Sequence, residues 1–113
     1  MSNNSSAKDL LHGLGYVYGR HGQTKRALVL QLIAARLAPD DPGILRTLAH
    51  TFLLDGAPDR ALAIIGRLDT MAGADDPGLQ LLKSRALWAA GRQAEARDAF
   101  RLFRERRAEG GET

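Results

Sequence analysis

The chain contains no cysteine, a single tryptophan and few other aromatic residues, 5% in all. Without cysteine there is neither a disulfide framework nor a thiolate metal site, although this alone does not fix the compartment. The three histidines, His12, His21 and His50, show no Glu-x-x-His spacing, so no metal and no cofactor is expected. Catalytic groupings are missing as well. Ser5, Ser6 and Ser84 lie outside any nucleophile-elbow context, and the run HGLGYVYGRHG lacks both the Lys-Ser/Thr ending and the preceding strand of a phosphate-binding loop. The chain is expected not to be an enzyme.

Long apolar runs are absent too. The longest, Ala27 to Ala38, is broken by Gln31 and Arg36 and is too short to cross a bilayer. The opening MSNNSSAKD shows no basic region followed by an apolar one, so no secretory signal is expected and a cytoplasmic location is. Charge is nearly balanced, with 16 basic against 13 acidic residues. Arg101, Arg104, Arg106 and Arg107 form the one dense cluster, interrupted by Glu105 and followed by Glu109. A solvated helix end that offsets the macrodipole accounts for them, and no nucleic-acid partner is expected.

What is present is a repeat. Gly22, Gly56 and Gly91 are each followed five residues later by an alanine, Ala27, Ala61 and Ala96, and the glycines are 34 and 35 residues apart. A period of about 34 residues with a turn glycine and a small residue at a helix crossing resembles the tetratricopeptide repeat. In that register Leu11, Leu14, Gly15, Tyr18, Ala27, Ala34 and Pro39 mark the first copy, with Gln31 in place of the usual aromatic. The second keeps Leu45, Leu48, Ala49, Phe52, Ala61, Ile65 and Leu68 but has Gly73 where proline is usual. The third keeps Ser84, Leu87, Ala96, Phe100 and Phe103, with Gln80 and Lys83 at apolar positions.

The fold class expected is therefore all-α: three tandem tetratricopeptide-type hairpins forming a short right-handed solenoid. Residues 1–6 are expected to be disordered, and 7–108 to form one domain with repeats near 8–41, 42–76 and 77–108. The stretch 109–113 is expected to be a flexible tail. Helices are expected over 7–20, 24–38, 42–54, 58–70, 77–90 and 93–108. Gly15 against Ala27, Ala49 against Ala61 and Ser84 against Ala96 should let paired helices approach closely. Pro42 and Pro77 suit a helix first turn, with Asp40, Asp41, Asp75 and Asp76 as candidate caps. Three repeats are close to the minimum for a useful core, and no polar helix follows the third, so the last hairpin is expected to be uncapped.

The repeat resemblance implies that the A helices line a concave groove, and the register names its residues. They are His12, Tyr16 and Arg20 from the first hairpin, Arg46, His50, Leu53 and Leu54 from the second, and Leu81, Arg85 and Trp88 from the third. Such a mixture of cations, aromatics and leucines suits an apolar peptide carrying a carboxylate or a helix C-terminus. Leu53 and Leu81 fit as well a role in completing the core between A helices, whereas Trp88, the single tryptophan and an amphipathic ring near the last turn of its helix, is read rather as a contact residue. Helix 1B has a second oddity. Val29, Leu32 and Ile33 form a stripe separate from the core stripe of Ala27, Leu30, Ala34 and Leu37, so a partner chain, a second copy or a folded-back N-terminus is expected to cover it.

On LLHGLGYVYGRHGQTKRALVLQLIAARLAPDDP and LLKSRALWAAGRQAEARDAF, the chain from Leu10 to Arg106 resembles bacterial type III secretion chaperones of the YscY/SctY family, although Leu14 stands where an aromatic is often found. The resemblance implies a cytoplasmic bacterial chaperone in a 1:1 heterodimer with a small exported YscX/SctX-like client, with the export-gate protein's cytosolic domain as a further contact. Val29, Leu32, Ile33, Trp88 and Phe103 are the residues expected to meet client helices. A chaperone of a needle or translocator subunit, or a self-associating scaffold, is the alternative.

Overall fold

A computed structural model describes residues 3–72 and 76–111. It contains six helices: α1 (Asn3–Arg20), α2 (Thr24–Leu37), α3 (Pro42–Leu54), α4 (Pro58–Ala72), α5 (Pro77–Ala89) and α6 (Gln93–Gly111). They pair as the hairpins α1–α2, α3–α4 and α5–α6, stacked as a short right-handed solenoid of the tetratricopeptide type.

Each hairpin turns by the same device. Gly22, Gly56 and Gly91 have φ of 76°, 78° and 79°, a left-handed conformation that a Cβ makes costly. On either side the chain closes a Schellman motif. Gln23 N–H donates to the Tyr18 carbonyl, Ala57 N–H to Phe52 and Arg92 N–H to Leu87, each at 2.9 Å. The helices that leave these turns come close because the facing residues are small. Gly15, Ala27, Ala49, Ala61, Ser84 and Ala96 are all buried, and a Cβ built on Gly15 would lie 2.9 Å from Gln31 Cγ.

The second and third A helices start on aspartates. Asp41 accepts from Gly43 N–H (3.0 Å) and Ile44 N–H (3.2 Å), and Asp76 accepts from Gly78 and Leu79, each just ahead of a first-turn proline. The same carboxylates tie the repeats together. Lys8 of α1 reaches Asp41 at 2.9 Å, and Arg46 of α3 pairs with Asp76. Asp40 does not cap. It faces Arg67 of α4, which also donates to the Pro39 carbonyl. Asp75 and Gly73 lie outside the described residues.

The main core sits in the middle of the stack. Leu45, Leu48, Phe52, Ile65, Leu68 and Leu79 are its largest members, and Leu28 and Ala35 of α2 pack against it. Gln80 is buried at a position where the repeat pattern has a large apolar residue, and Lys83 reaches Asp69 of α4 at 3.4 Å. Leu79 and Leu82 supply the apolar contacts instead.

The ends differ from expectation. Helix α1 begins at Asn3, before the Ala7 start set by treating residues 1–6 as disordered, and within it Lys8 pairs with Asp41, the cap of α3. Helix α6 runs through to Gly111 rather than stopping at Ala108, so most of the stretch taken as a tail is helical. Leu14 and Phe100, both at positions the repeat pattern makes core, are exposed. The equivalent of Leu14, Leu48, is covered because α2 lies before it, and no described helix lies before α1.

Two glycines give a signed test. Gly56→Ala forces a side chain into the left-handed region and should cost about 1 kcal/mol, lowering Tm by roughly 4 °C or more. Gly66, exposed within α4 with open space around its Cα, should accept Ala with a rise in Tm from about 0.5 to 1 kcal/mol of added stability. The caps give a second, in acid. Asp41 is held below the usual carboxylate range, first by the Lys8 hydrogen bond and then by the Ile44 N–H, and Asp76 likewise, first by Arg46. Carboxyls depressed in the folded state stabilise it above the unfolded value, about pH 4, and that stability is lost as pH falls through the folded pKa. Thermal melts between pH 7 and pH 2 should therefore show a shallower acid decline for the Asp41→Asn/Asp76→Asn variant than for the parent chain.

Candidate partner-binding site

The residues expected to line a continuous concave groove fall into three groups. Tyr16, Arg20, His50 and Leu54 gather around a depression of about 280 Å³ between α1 and α3. There Arg20 donates to the Tyr16 hydroxyl at 3.3 Å and lies over its ring, 5.9 Å from the centroid. Three more are engaged inside the fold. His12 Nε2 shares a hydrogen bond with Thr47 Oγ1 at 3.0 Å, Arg46 is committed to Asp76, and half-buried Leu53 packs on the central core. Leu81, Arg85 and Trp88 lie elsewhere, in a groove of about 760 Å³ between α5 and α6.

The floor of the first depression contains an unmet demand. Gln31 stands in the position the repeat pattern gives to an aromatic, is 1% exposed, and lines this depression. Its Oε1 accepts no hydrogen bond. A buried carbonyl oxygen without a donor costs about 1–3 kcal/mol. The glycine at position 15 is what makes room for the side chain, since any Cβ there would strike it.

On α2, Val29, Leu32 and Ile33 are 57%, 39% and 43% exposed, so no described segment folds back over them. Val29 opens onto a hollow shared with Tyr18, Lys25, Arg26 and Leu30. Phe103 is half-buried and stacks at a tilt on Phe100, ring centres 5.7 Å apart.

Sequence reasoning missed the contribution of α6 to the α5–α6 groove. Phe100, Arg97 and Arg104 line it, and their spacing of three and four from one another was the available signal, since it sets them on one helix face. Exposed Leu10 and Val17 on α1 were missed in the same way. Among the described residues no three His, Asp or Glu side chains converge as a metal site, and none of the described helices is long and apolar enough to cross a membrane.

The Gln31 carboxamide has a direct check. Gln31→Leu keeps the volume and removes the unpaired oxygen, so it should raise stability by about 1 kcal/mol in chemical denaturation. A fall in the denaturation midpoint would mean that the amide is satisfied by bound water.

No family model and no curated protein sequence matches the chain. Solved structures do. MamA of AMB-1 in its C2221 crystal form superposes with a TM-score of 0.78 at 22% identity, over 95% of this chain and 63% of that one. The P212121 form gives 0.76 at 24%, over 89% and 55%. The chain thus spans less than two thirds of either MamA chain, and at these identities the likeness is one of fold: a tetratricopeptide-type helical array, with no preference for the secretion chaperones over other proteins built this way.

Proposed function

We propose that the chain is a protein-binding module that shelters an apolar segment of another polypeptide, as a chaperone of type III secretion does. The observation that carries this is the concentration of uncovered apolar surface on one hairpin. Of the eleven exposed large apolar side chains among the described residues, seven are on α1 and α2: Leu10, Leu14, Tyr16, Val17, Val29, Leu32 and Ile33. A helix apolar nearly all round is normally covered on all sides, and exposed apolar surface in excess marks an interaction site. Covering a half-exposed Val, Leu or Ile returns roughly 1 kcal/mol apiece.

The finer reading is a cytoplasmic bacterial chaperone that pairs one to one with a small exported protein of the YscX/SctX kind, with the export-gate protein as a further contact. The resemblance in the first and third repeats supports it. The fold is compatible with it and equally with other protein-binding arrays. In this reading Val29, Leu32 and Ile33 take the client's helices, while Tyr16, Arg20, His50 and Leu54 offer a second contact. Self-association through α2 is the competing reading, favoured by the fact that an apolar stripe can pack on its own copy about a two-fold axis.

Co-expression with a small exported protein of this kind and affinity capture should recover a one-to-one complex. Leu32→Asp/Ile33→Asp should abolish capture while leaving helical circular dichroism unchanged; capture by the double variant would remove α2 as the docking face. Light scattering of the chain alone decides the competitor, because a stable dimer lost in the double variant establishes self-association.

A further inference from the structure

We propose that the groove between α5 and α6 docks an amphipathic helix with acidic flanks, contributed by a partner chain. The inference rests on the protein-binding reading and names the chemistry of the segment that this second surface takes.

The floor of the groove is apolar, formed by Leu81 and Trp88 of α5 and by Ala96 and Phe100 of α6. Trp88 is 57% exposed and Phe100 44%, so two of the chain's few aromatic rings face outward in one depression. Ser84 is the sole uncharged polar side chain in the lining, and its hydroxyl already donates to the Leu81 carbonyl at 2.8 Å. The walls are helices whose backbone groups are spent internally. An occupant therefore finds no backbone partner here and must satisfy its own N–H and C=O groups, which a helix does and an extended strand does not. Size agrees: from Ala96 to Arg104 the lining runs roughly 12 Å at about 1.5 Å per residue, a little over two helical turns.

Charge sets the partner's sign. The rim carries Arg85, Arg97, Arg101 and Arg104. Arg101 is matched by Asp98 at 3.1 Å, whereas Arg85, Arg97 and Arg104 form no ion pair among the described residues. Several cations elsewhere find carboxylates, Lys8 with Asp41, Lys25 with Asp55, Arg46 with Asp76 and Arg92 with Glu95, and Arg20, Arg26 and Arg60 lie over the rings of Tyr16, Tyr18 and Phe52. An apolar floor between unmatched guanidinium groups is complementary to an apolar stripe between carboxylates. A second copy of this chain fits poorly. Its uncovered α2 face has no carboxylate to offer the rim, since α2 contains neither Asp nor Glu and Arg26 stands beside Val29.

Trp88, the single tryptophan, reports on the groove directly. The full chain is titrated with a synthetic helical peptide of about 18 residues carrying a leucine stripe flanked by glutamates, and with its twin in which lysines replace the glutamates. The acidic peptide should shift Trp88 emission to the blue and bind at least roughly tenfold more tightly than the basic twin, with affinity falling as salt rises. Arg97→Glu/Arg104→Glu, on the exposed face of α6, should reverse that preference. Equal binding of the two peptides, no change in Trp88 emission, or a preference that survives the charge reversal would each overturn the proposal. So would a blue shift produced by concentrating the chain alone together with a dimer mass in light scattering, which would make the occupant a second copy. The Leu32→Asp/Ile33→Asp chain should bind the acidic peptide as the parent does. Loss of client capture with peptide binding intact, or the converse, shows which of the two surfaces has failed.

Discussion

Two helices can lie alongside each other closely only where the facing side chains are small, and every hairpin of this chain depends on that restriction. Gly15 with Ala27, Ala49 with Ala61 and Ser84 with Ala96 are buried pairs that set the crossing. Once the crossing is fixed, each turn must be short, which the left-handed glycines allow. The next helix must then start at a set angle, and Asp41 and Asp76 hold the second and third A helices there by capping one helix while binding a cation from the A helix before. The grooves are by-products of this geometry, since side chains larger than the crossing permits are displaced to its edges.

Much of this was legible in the sequence because it is periodic. The glycines at 22, 56 and 91, the alanines that follow them and the Asp-Pro starts of α3 and α5 each occupy one recurring position with one physical demand, and residue type answers that demand directly. The same register named Tyr16, Arg20, His50 and Leu54, which line one depression between α1 and α3, together with six residues that do not.

What was not legible depends on neighbours that a repeat pattern cannot supply. The pattern says that Leu14 and Phe100 sit where a core residue sits, but whether they are covered depends on a helix beyond the hairpin. Gln31 looked like a departure from an aromatic, and only the close approach of Gly15 shows how the fold makes room for its side chain. The arginines of α6 looked like a solvated helix end. Arg101 and Arg104 of that cluster, with Arg97, wall a groove whose other side, α5, is remote from them in register. Both helix ends were drawn short because polar composition was read as disorder. The helices extend instead to Asn3 and to Gly111.

The two end hairpins are unlike each other. The first presents apolar surface beside Lys25 and Arg26, and the last presents a narrower apolar floor within an arginine rim. The large buried cluster belongs to α3, α4 and α5, while α6 contributes only a small one, Ala96 and Ala99 with Leu87 of α5. In a linear stack each unit is held only by its neighbours, and among the described helices the first and third hairpins each have one neighbouring hairpin. A polypeptide that settles on α2 or between α5 and α6 would act as a further neighbour, bracing that hairpin as well as covering it.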